Sequence, residues 1–182
     1  FKAVILYQPD SDFSTYLDRL KNKKASLLII GGEKTDYRLL SNKFSFFSKS
    51  ASSSTERYQG VYNDDFQKFQ FEDLGFSGYP PLSDQFGDME IKGNYNTLLF
   101  KSVNGIETSS PLLFEKTQGN QKFIFLLGEG IWKWRGETFR QRDSFREFDR
   151  FIDKWIQYLN VEERERLEVE AKKLYQLGLD DE

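Results

Sequence analysis

The sequence predicts an α/β domain with a mainly parallel central sheet, flanking helices and an antiparallel β extension over residues 86–128. Three patterns support this fold class. Apolar strand-like runs and helical segments alternate over residues 2–42, which is the order of doubly wound sheets with right-handed crossovers. Short strand-like runs separated by turn signals follow over residues 89–128. An amphipathic helix over residues 145–159 completes the set.

The first part of the chain predicts two strand–helix units. "KAVILY" (2–7) is a continuous apolar run with β-branched residues, which is typical of a buried strand in a parallel sheet. Residues 10–24 predict a helix, because the apolar residues have helical spacing, namely Phe13, Tyr16, Leu17 and Leu20. "ASLLIIGG" (25–32) predicts a second buried strand that ends at a glycine pair, and residues 33–42 predict a short helix.

The middle of the chain has a different composition. Residues 47–60 are polar and serine-rich and predict a surface loop. Many aromatic residues lie between positions 44 and 79 without a helical period. We expect them to fill a subsidiary core rather than to stack on nucleic-acid bases, because basic residues are not interleaved with them. Residues 78–88 contain prolines and glycines and predict a turn region.

A β-meander is predicted next. Four runs have the character of strands, at 89–93, 96–103, 110–117 and 122–128. Asn104–Gly105 is a strong signal for a two-residue hairpin turn, and "QGNQ" (118–121) predicts a second turn. Since the last of the four runs is wholly apolar, we expect it in the interior of the sheet.

Residues 145–159 predict the clearest helix. Ser144 and Glu147 have the spacing of a capping box, in which each side chain accepts a hydrogen bond from the other residue's amide. An apolar stripe follows at helical intervals and consists of Phe145, Phe148, Ile152, Trp155 and Leu159.

The last segment, residues 161–182, is acidic and ambiguous. It contains eight acids against four bases, which gives it a charge of −4. Intrinsic propensity favours a charged helix. The alternation in "RLEVE" (166–170) favours a strand instead, and both interpretations stay open.

Composition excludes several kinds of chemistry. The 182 residues contain no Cys and no His, so nucleophilic sites of the Cys–His or Ser–His kind are excluded, as are metal sites built on these ligands. We therefore expect no cofactor and no metal site. The net charge of −3 offers no basic field for nucleic acid. No apolar run has the length of a membrane span, and we expect any membrane link to lie in a segment outside this chain.

"GEGIWKWR" (128–135) is the most distinctive candidate site. It follows a predicted strand, and ligands bind at the carboxyl ends of strands in open α/β sheets. Glu129 is expected to project into that crevice, while Trp132, Trp134 and Arg135 supply stacking surfaces and an anion-binding fork. The structural alternative is that Trp132 packs under the sheet, Trp134 fills a helix contact, and Arg135 pairs with Glu129.

"GGEKTD" (31–36) is a second candidate. Gly31 and Gly32 come after a predicted strand and before a helix, where free amides can bind an anion. Asp36 lies in the expected first helical turn, where an acid complements the helix dipole. The alternative is a turn without a ligand, because the segment lacks the spacing of known phosphate-binding loops.

The order of the motifs resembles a known domain. "KAVILYQP", "LLIIGGEKTD", "YPPLSDQFGD", "SPLLFEKTQGNQKFIFLLGEGIWKWR" and "FDRFIDKWIQYL" succeed one another over roughly residues 2–160. This order is similar to the class I glutamine amidotransferase-like domain of uncharacterised bacterial membrane-anchored proteins that also carry a von Willebrand factor A-like region. "GEGIWKWR" is the most specific of these motifs.

The resemblance implies a flavodoxin-like fold and a cell-envelope parent protein. It places this part of the parent on the periplasmic side of a membrane; the alternative location is the cytoplasm. It also implies a strand and a helix ahead of Phe1, an amidotransferase-like domain over residues 1–160, and a charged linker or tail over 161–182. Class I amidotransferases use a Cys with a His and a Glu. The chain has neither Cys nor His, so Glu129 has no thiol to activate.

The function expected from the sequence is therefore non-catalytic. We expect an interaction or structural domain of a bacterial envelope protein, without glutamine amidotransferase activity. Its partner is expected to be a protein or a neighbouring domain of the same polypeptide, and not nucleic acid. The alternative is a carbohydrate-binding module or a carboxylate-based hydrolase that acts on glycans.

Overall fold

The computed structural model describes residues 2–69 and 73–161. The open question of helix or strand in the acidic segment concerns residues 162–182, which lie outside this range, as does the expected strand ahead of Phe1.

The described residues contain seven strands and four α-helices, joined by loops and two short 3-10 helices. The strands are β1 Ala3–Tyr7, β2 Ser26–Ile30, β3 Phe47–Tyr62, β4 Leu82–Ile91, β5 Asn96–Val103, β6 Ile106–Gln118 and β7 Gln121–Leu126. The helices are α1 Ser14–Asn22, α2 Tyr37–Lys43, α3 Trp132–Arg142 and α4 Arg146–Asn160.

The strands form one mixed sheet in the order β1-β2-β7-β6-β5-β3-β4, which curls into a half-barrel. Only the pairs β1–β2 and β2–β7 are parallel, whereas the other four neighbouring pairs are antiparallel. The expected mainly parallel, flavodoxin-like sheet is therefore wrong. The reason is topological: short turns join β5 to β6 and β6 to β7, and such turns reverse the chain direction.

The predicted loop over residues 47–60 is also wrong, because this stretch belongs to β3. Residues 47–51 and 55–58 pair with β4, and residues 59–62 pair with β5 on the other side of the strand. Its serine-rich part is exposed, and a register shift lies between Ala51 and Thr55. Pairing with β4 supplies the backbone hydrogen bonds on either side of this shift, and within it the Ser54 amide donates to Ser52 Oγ at 3.2 Å. Hydrogen bonds rather than apolar side chains therefore hold this part of the strand.

Helices cover both faces of the sheet. On β2, Leu28 and Ile30 pack towards α3 and α4, whereas Leu27 and Ile29 pack towards α1 and α2. This alternation follows the two-residue period of a strand. The central strands are buried on both sides, which explains why β2 and β7 read as continuous apolar runs.

The aromatic residues between positions 44 and 79 do not form the expected subsidiary core. Phe44 and Phe46 pack against Phe123 of β7, with ring centroids 5.4 and 5.0 Å away, on the face of α1 and α2. On the opposite face, Phe76 lies 5.3 Å from the ring of Trp134. These residues therefore belong to the two main cores.

The predicted hairpin turn at Asn104–Gly105 is confirmed, whereas the predicted capping box of Ser144 and Glu147 is not. Asn104 and Gly105 have φ values of 50° and 79°, as a two-residue hairpin turn requires, and they join β5 to β6. The capping box is wrong, because Ser144 Oγ accepts a hydrogen bond from the amide of Arg146 at 3.2 Å rather than from that of Glu147.

Candidate functional site

The three parallel strands end at one edge of the sheet. Tyr7 of β1 is the register partner of Ile30 of β2, and Ile30 is paired in turn with Leu126 of β7. The amide of Gln8 donates to Ile30 O at 2.7 Å, and that of Gly31 donates to Leu126 O at 2.7 Å. The segments that follow the three strands therefore converge at this edge, which we call the carboxyl edge.

The glycine pair allows these segments to approach one another closely. A Cβ atom at Gly31 would lie 2.2 Å from the hydroxyl oxygen of Tyr37. At Gly32 it would lie 2.8 Å from Glu129 Cβ and 2.9 Å from Gln8 Cδ. Neither glycine adopts a left-handed conformation, and the Gly31 amide is used within the sheet. Close packing of neighbouring side chains therefore explains why positions 31 and 32 are glycines. Neither a left-handed turn nor an anion-binding site is needed to explain them.

Glu129 is held at the carboxyl edge through both its backbone and its side chain. Its backbone exchanges two hydrogen bonds with Ser83, at 3.1 and 2.8 Å. The Gln8 side-chain amide donates to its Oε2 atom, and the Tyr7 hydroxyl lies 3.5 Å from the same oxygen. Gln8 Oε1 also accepts from the Lys34 amide at 2.8 Å, and Gln8 itself has a φ of 44°. A residue in this unfavourable conformation persists because several contacts fix it.

The two tryptophans of the candidate site face opposite ways. Trp134 is fully buried, and its indole N–H donates to Pro80 O at 2.8 Å. Trp132 is 70% exposed, and the Lys133 ammonium lies 5.7 Å from its ring centroid. Trp132 begins α3 three residues after Glu129, so the reach of the chain keeps it within about 10 Å of that residue. We therefore assign Trp132 to the rim of the carboxyl edge, whereas Trp134 belongs to the core.

Arg135 has a different partner from the one expected. Its guanidinium binds both carboxylate oxygens of Asp149 on α4, at 2.8 and 3.2 Å, and its carbon lies 4.0 Å from the centroid of the Phe145 ring. This hydrogen-bonded ion pair holds the pKa of Asp149 below its usual range. Arg135 therefore joins α3 to α4 and does not pair with Glu129.

Asp36 caps a helix. Its carboxylate accepts a hydrogen bond from the amide of Leu39 at 2.8 Å at the start of α2. This contact satisfies one of the amides that a helix start leaves open. Of the seven candidate residues, Gly31, Gly32, Glu129 and Trp132 lie at the carboxyl edge, whereas Trp134 and Arg135 have structural contacts elsewhere. The Asp36 side chain caps α2, although its amide donates to Pro9 O at 2.9 Å beside the same edge.

Sequence reasoning missed Tyr7 and Gln8. Tyr7 is the last residue of β1 and Gln8 directly follows it, and Tyr7 is exposed beside Glu129. The rule that identified Glu129, namely that ligands bind where parallel strands end, identifies these two residues when it is applied to β1.

A buried polar cluster was missed as well. Lys49 and Asp84 are both buried and form an ion pair at 2.5 Å. The Tyr37 hydroxyl donates to the other oxygen of Asp84 at 2.7 Å, and the Lys49 ammonium lies 4.2 Å from the centroid of the Tyr37 ring. Burial, and then Asp84, raises the pKa of Tyr37 well above its usual value. This network ties α2 to β3 and β4.

Lys101 lies near this cluster and is buried. Its ammonium lies 3.9 Å from the ring centroid of Tyr58. Burial, and then the nearby charge of Lys49, lowers the pKa of Lys101 to about 8. Burial also lowers the pKa of Lys49, although Asp84 opposes that effect.

A groove of about 920 Å³ lies between α2 and the β3–β4 pair. Its lining includes Arg38, Ser41, Ser48, Asp88 and Glu90. Ser41 Oγ is already bonded to Tyr37 O and to the amide of Lys49, and the charges are of both signs. This lining selects no ligand class, so the carboxyl edge remains the candidate site.

Two kinds of feature are absent from the part of the chain that the structure describes. Within residues 2–69 and 73–161, no three acidic side chains are grouped so that they could hold a metal ion. None of the helices in this part of the chain combines the length and the apolarity needed to cross a bilayer.

Comparison with known proteins gives no family assignment. No protein-family model matches this sequence, and no curated protein is significantly similar to it.

Proposed function

We propose that this chain is a non-catalytic interaction domain of a bacterial cell-envelope protein, on the periplasmic side of the membrane and without glutamine amidotransferase activity. It binds a protein partner, or a neighbouring domain of the same polypeptide, through the carboxyl edge. The observation that carries the proposal is the 70% exposure of Trp132 at the rim of that edge. Tryptophan is enriched among the residues that dominate binding energy in protein interfaces.

The surroundings of Trp132 support a docking surface. Tyr7 and Ile5 of β1 are exposed on the same side of the sheet edge, which adds apolar area near Glu129. Glu129 and Lys133 supply charges of opposite sign around these apolar side chains. An apolar centre with a polar rim is the usual arrangement of a protein interface.

The chemistry of Glu129 also favours binding over catalysis. The hydrogen bonds of its carboxylate come from an amide and a phenol, whereas carboxylate-based glycosidases oppose two acids across the substrate. The absence of Cys and His from the chain leaves no amidotransferase nucleophile or base here. The envelope location is supported by the motif resemblance, of which "GEGIWKWR" is the most specific part.

A carbohydrate-binding module is the second candidate. The exposed ring of Trp132 favours it, because sugar rings stack on flat aromatic side chains, and Tyr7 adds a second ring at the same edge. A glycan hydrolase has no comparable observation in its favour.

Photo-crosslinking in the native host separates these functions. p-Benzoylphenylalanine in place of Trp132 is expected to form an adduct with a defined protein, or with another region of the same polypeptide. The matched control is the same amino acid in place of Ile106, which is 71% exposed in the β5–β6 hairpin. We expect several-fold more adduct at position 132, and the Tyr7→Ala substitution should reduce it.

The outcomes have different meanings. Equal labelling at positions 132 and 106 would contradict the proposed docking surface. If the adducts contained glycan and no protein, the carbohydrate-binding function would replace the proposed protein-binding function.

A further inference from the structure

Exposed aromatic side chains lie on the outer side of α3 and at the start of the segment that follows it. Trp132 and Phe139 are seven residues apart, so they lie on the same side of the helix, about 10 Å apart along its axis. Phe139 is 43% exposed, and its ring stacks on that of Phe145 with centroids 4.7 Å apart. We call these three residues the aromatic row.

The aromatic row is interrupted at Gly136. This residue lies one helical turn from both Trp132 and Phe139 and is exposed. A Cβ atom at Gly136 would meet no atom within 4 Å, and its φ is not left-handed. Neither packing nor backbone geometry therefore requires a glycine, although glycine is among the least favourable residues inside a helix. The helix surface is therefore open at Gly136, between the positions of Trp132 and Phe139, and we call this open position the notch.

The charge around the aromatic row is positive. α3 contains four bases and one acid, namely Lys133, Arg135, Arg140, Arg142 and Glu137. Ion pairs with Asp149, Glu137 and Glu147 engage the three arginines. The segment 132–150 nevertheless retains six bases against four acids. A surface of this sign attracts an acidic partner and disfavours a second copy of itself.

We propose that the aromatic row binds an acidic peptide segment of a partner protein, with one bulky apolar side chain inserted into the notch over Gly136. This inference rests on the proposed function and specifies the chemistry of its partner. The acidic groups complement Lys133 and the net positive charge of residues 132–150, and the inserted side chain contacts the rings of Trp132 and Phe139.

This inference can be tested with a displayed library of random twelve-residue peptides, from which binders to the full chain are selected. We expect the enriched peptides to contain several Asp or Glu residues and one Leu, Phe or Trp. The affinity of the most enriched peptide, measured by fluorescence polarisation, should fall about tenfold between 50 and 500 mM salt, because screening weakens charge attraction.

Two leucine substitutions on the same helix form a matched pair. Gly136→Leu fills the notch and is expected to weaken binding of that peptide at least tenfold. Gln141→Leu places the same side chain on α3 outside the aromatic row, and affinity should stay within about twofold. Gly136→Leu replaces the less favourable helix residue, so loss of folding is not the expected cause of weaker binding. A thermal melt of each variant verifies this.

Two results would overturn the inference in distinguishable ways. Peptides without acidic enrichment, or binding that Gly136→Leu leaves unchanged while Trp132→Ala and Tyr7→Ala abolish it, would refute the inference and leave the proposed function standing. If no selected peptide depends on Trp132, both proposals fail.

Discussion

At the scale of single residues, Trp132 and Trp134 lie two positions apart on α3 but face opposite sides of it. The motif can be interpreted only when the position of each residue around the helix axis is known. Two residues correspond to about 200° around an α-helix, so neighbours of this spacing face opposite sides. Trp134 therefore contacts Phe76 and Pro80 in the core, and Trp132 faces solvent. No local pattern predicts a helix at 132–142, so the two side chains could not be assigned to different faces from the sequence.

Alanine substitutions should separate these two roles. Trp134→Ala is expected to lower the free energy of unfolding by roughly 3–5 kcal/mol, because it leaves a cavity and removes an indole hydrogen bond. Trp132→Ala, the matched control, should change it by about 0.5 kcal/mol or less. Urea unfolding curves give both values. A loss at Trp134 as small as that at Trp132 would contradict its assignment to the core.

The buried pair of Lys49 and Asp84 could not have been predicted from the sequence. Lys49 lies in a serine-rich stretch that resembles a loop, and Asp84 lies in a predicted turn region. Charged side chains are buried only where a partner is provided. Here the partner is distant in the chain, 35 residues away, and no local pattern records such a contact.

At the scale of elements, the local residue pattern was sufficient to predict a strand that is buried on both faces, or a helix with a single apolar face. β2 and β7 read as apolar runs because they are buried within the sheet, and α4 has a clear apolar stripe. The prediction of a buried strand at 2–7 is wrong, because β1 lies at the edge of the sheet with Ile5 and Tyr7 exposed. β3 and α3 were missed for opposite reasons. β3 is polar and depends on pairing with distant strands, while α3 has charged or aromatic residues around most of its circumference.

Two glycine-to-alanine substitutions should have effects of opposite sign. Gly105→Ala, in the β5–β6 turn, is expected to destabilise the protein by about 1–2 kcal/mol, because a φ of 79° is unfavourable for an L-residue with a side chain. Gly136→Ala, in α3, is expected to stabilise it by up to about 1 kcal/mol. No atom lies within 4 Å of either added Cβ, so backbone conformation alone decides the sign.

Thermal melts of these two variants provide the measurement. A lower melting temperature for Gly136→Ala would show that α3 is not helical at this position. An unchanged melting temperature for Gly105→Ala would argue against the left-handed turn.

At the scale of the whole molecule, the fold depends on strand order, which the sequence does not display. The first two strand–helix units are parallel, but β7 joins them only after a meander of β3 to β6. The candidate site was predictable in part, because the rule for strand ends located Gly32 and Glu129. The contacts of Tyr7 and Gln8 with Glu129 required the knowledge that β1, β2 and β7 share one edge.

Buried lysines should make the stability of the whole molecule depend on pH. The pKa of Lys101 is lowered from 10.5 to about 8 by burial, so between these values the unfolded state binds more protons than the folded state. The free energy of unfolding should therefore rise with pH, by about 1–2 kcal/mol between pH 8 and 9.5. Lys49, whose pKa is also lowered, contributes in the same direction.

Above pH 10 the sign reverses, because the raised pKa values of Tyr37 and Tyr58 keep these groups protonated in the folded state alone. Urea unfolding at a series of pH values measures the profile. The Lys101→Met control should flatten the rise between pH 8 and 9.5. A wild-type stability that is constant or falls over that interval would exclude a neutralising buried lysine.

The strand β3 has a mechanical consequence. Its residues 59–62 are held by β5, and Phe47 at the other end of the strand is buried against Phe114 and Phe125. Both ends of the β3–β4 ribbon are therefore fixed to the rest of the sheet and its core. Any bending of the ribbon is confined to the exposed stretch between Ala51 and Thr55, where the pairing with β4 shifts register.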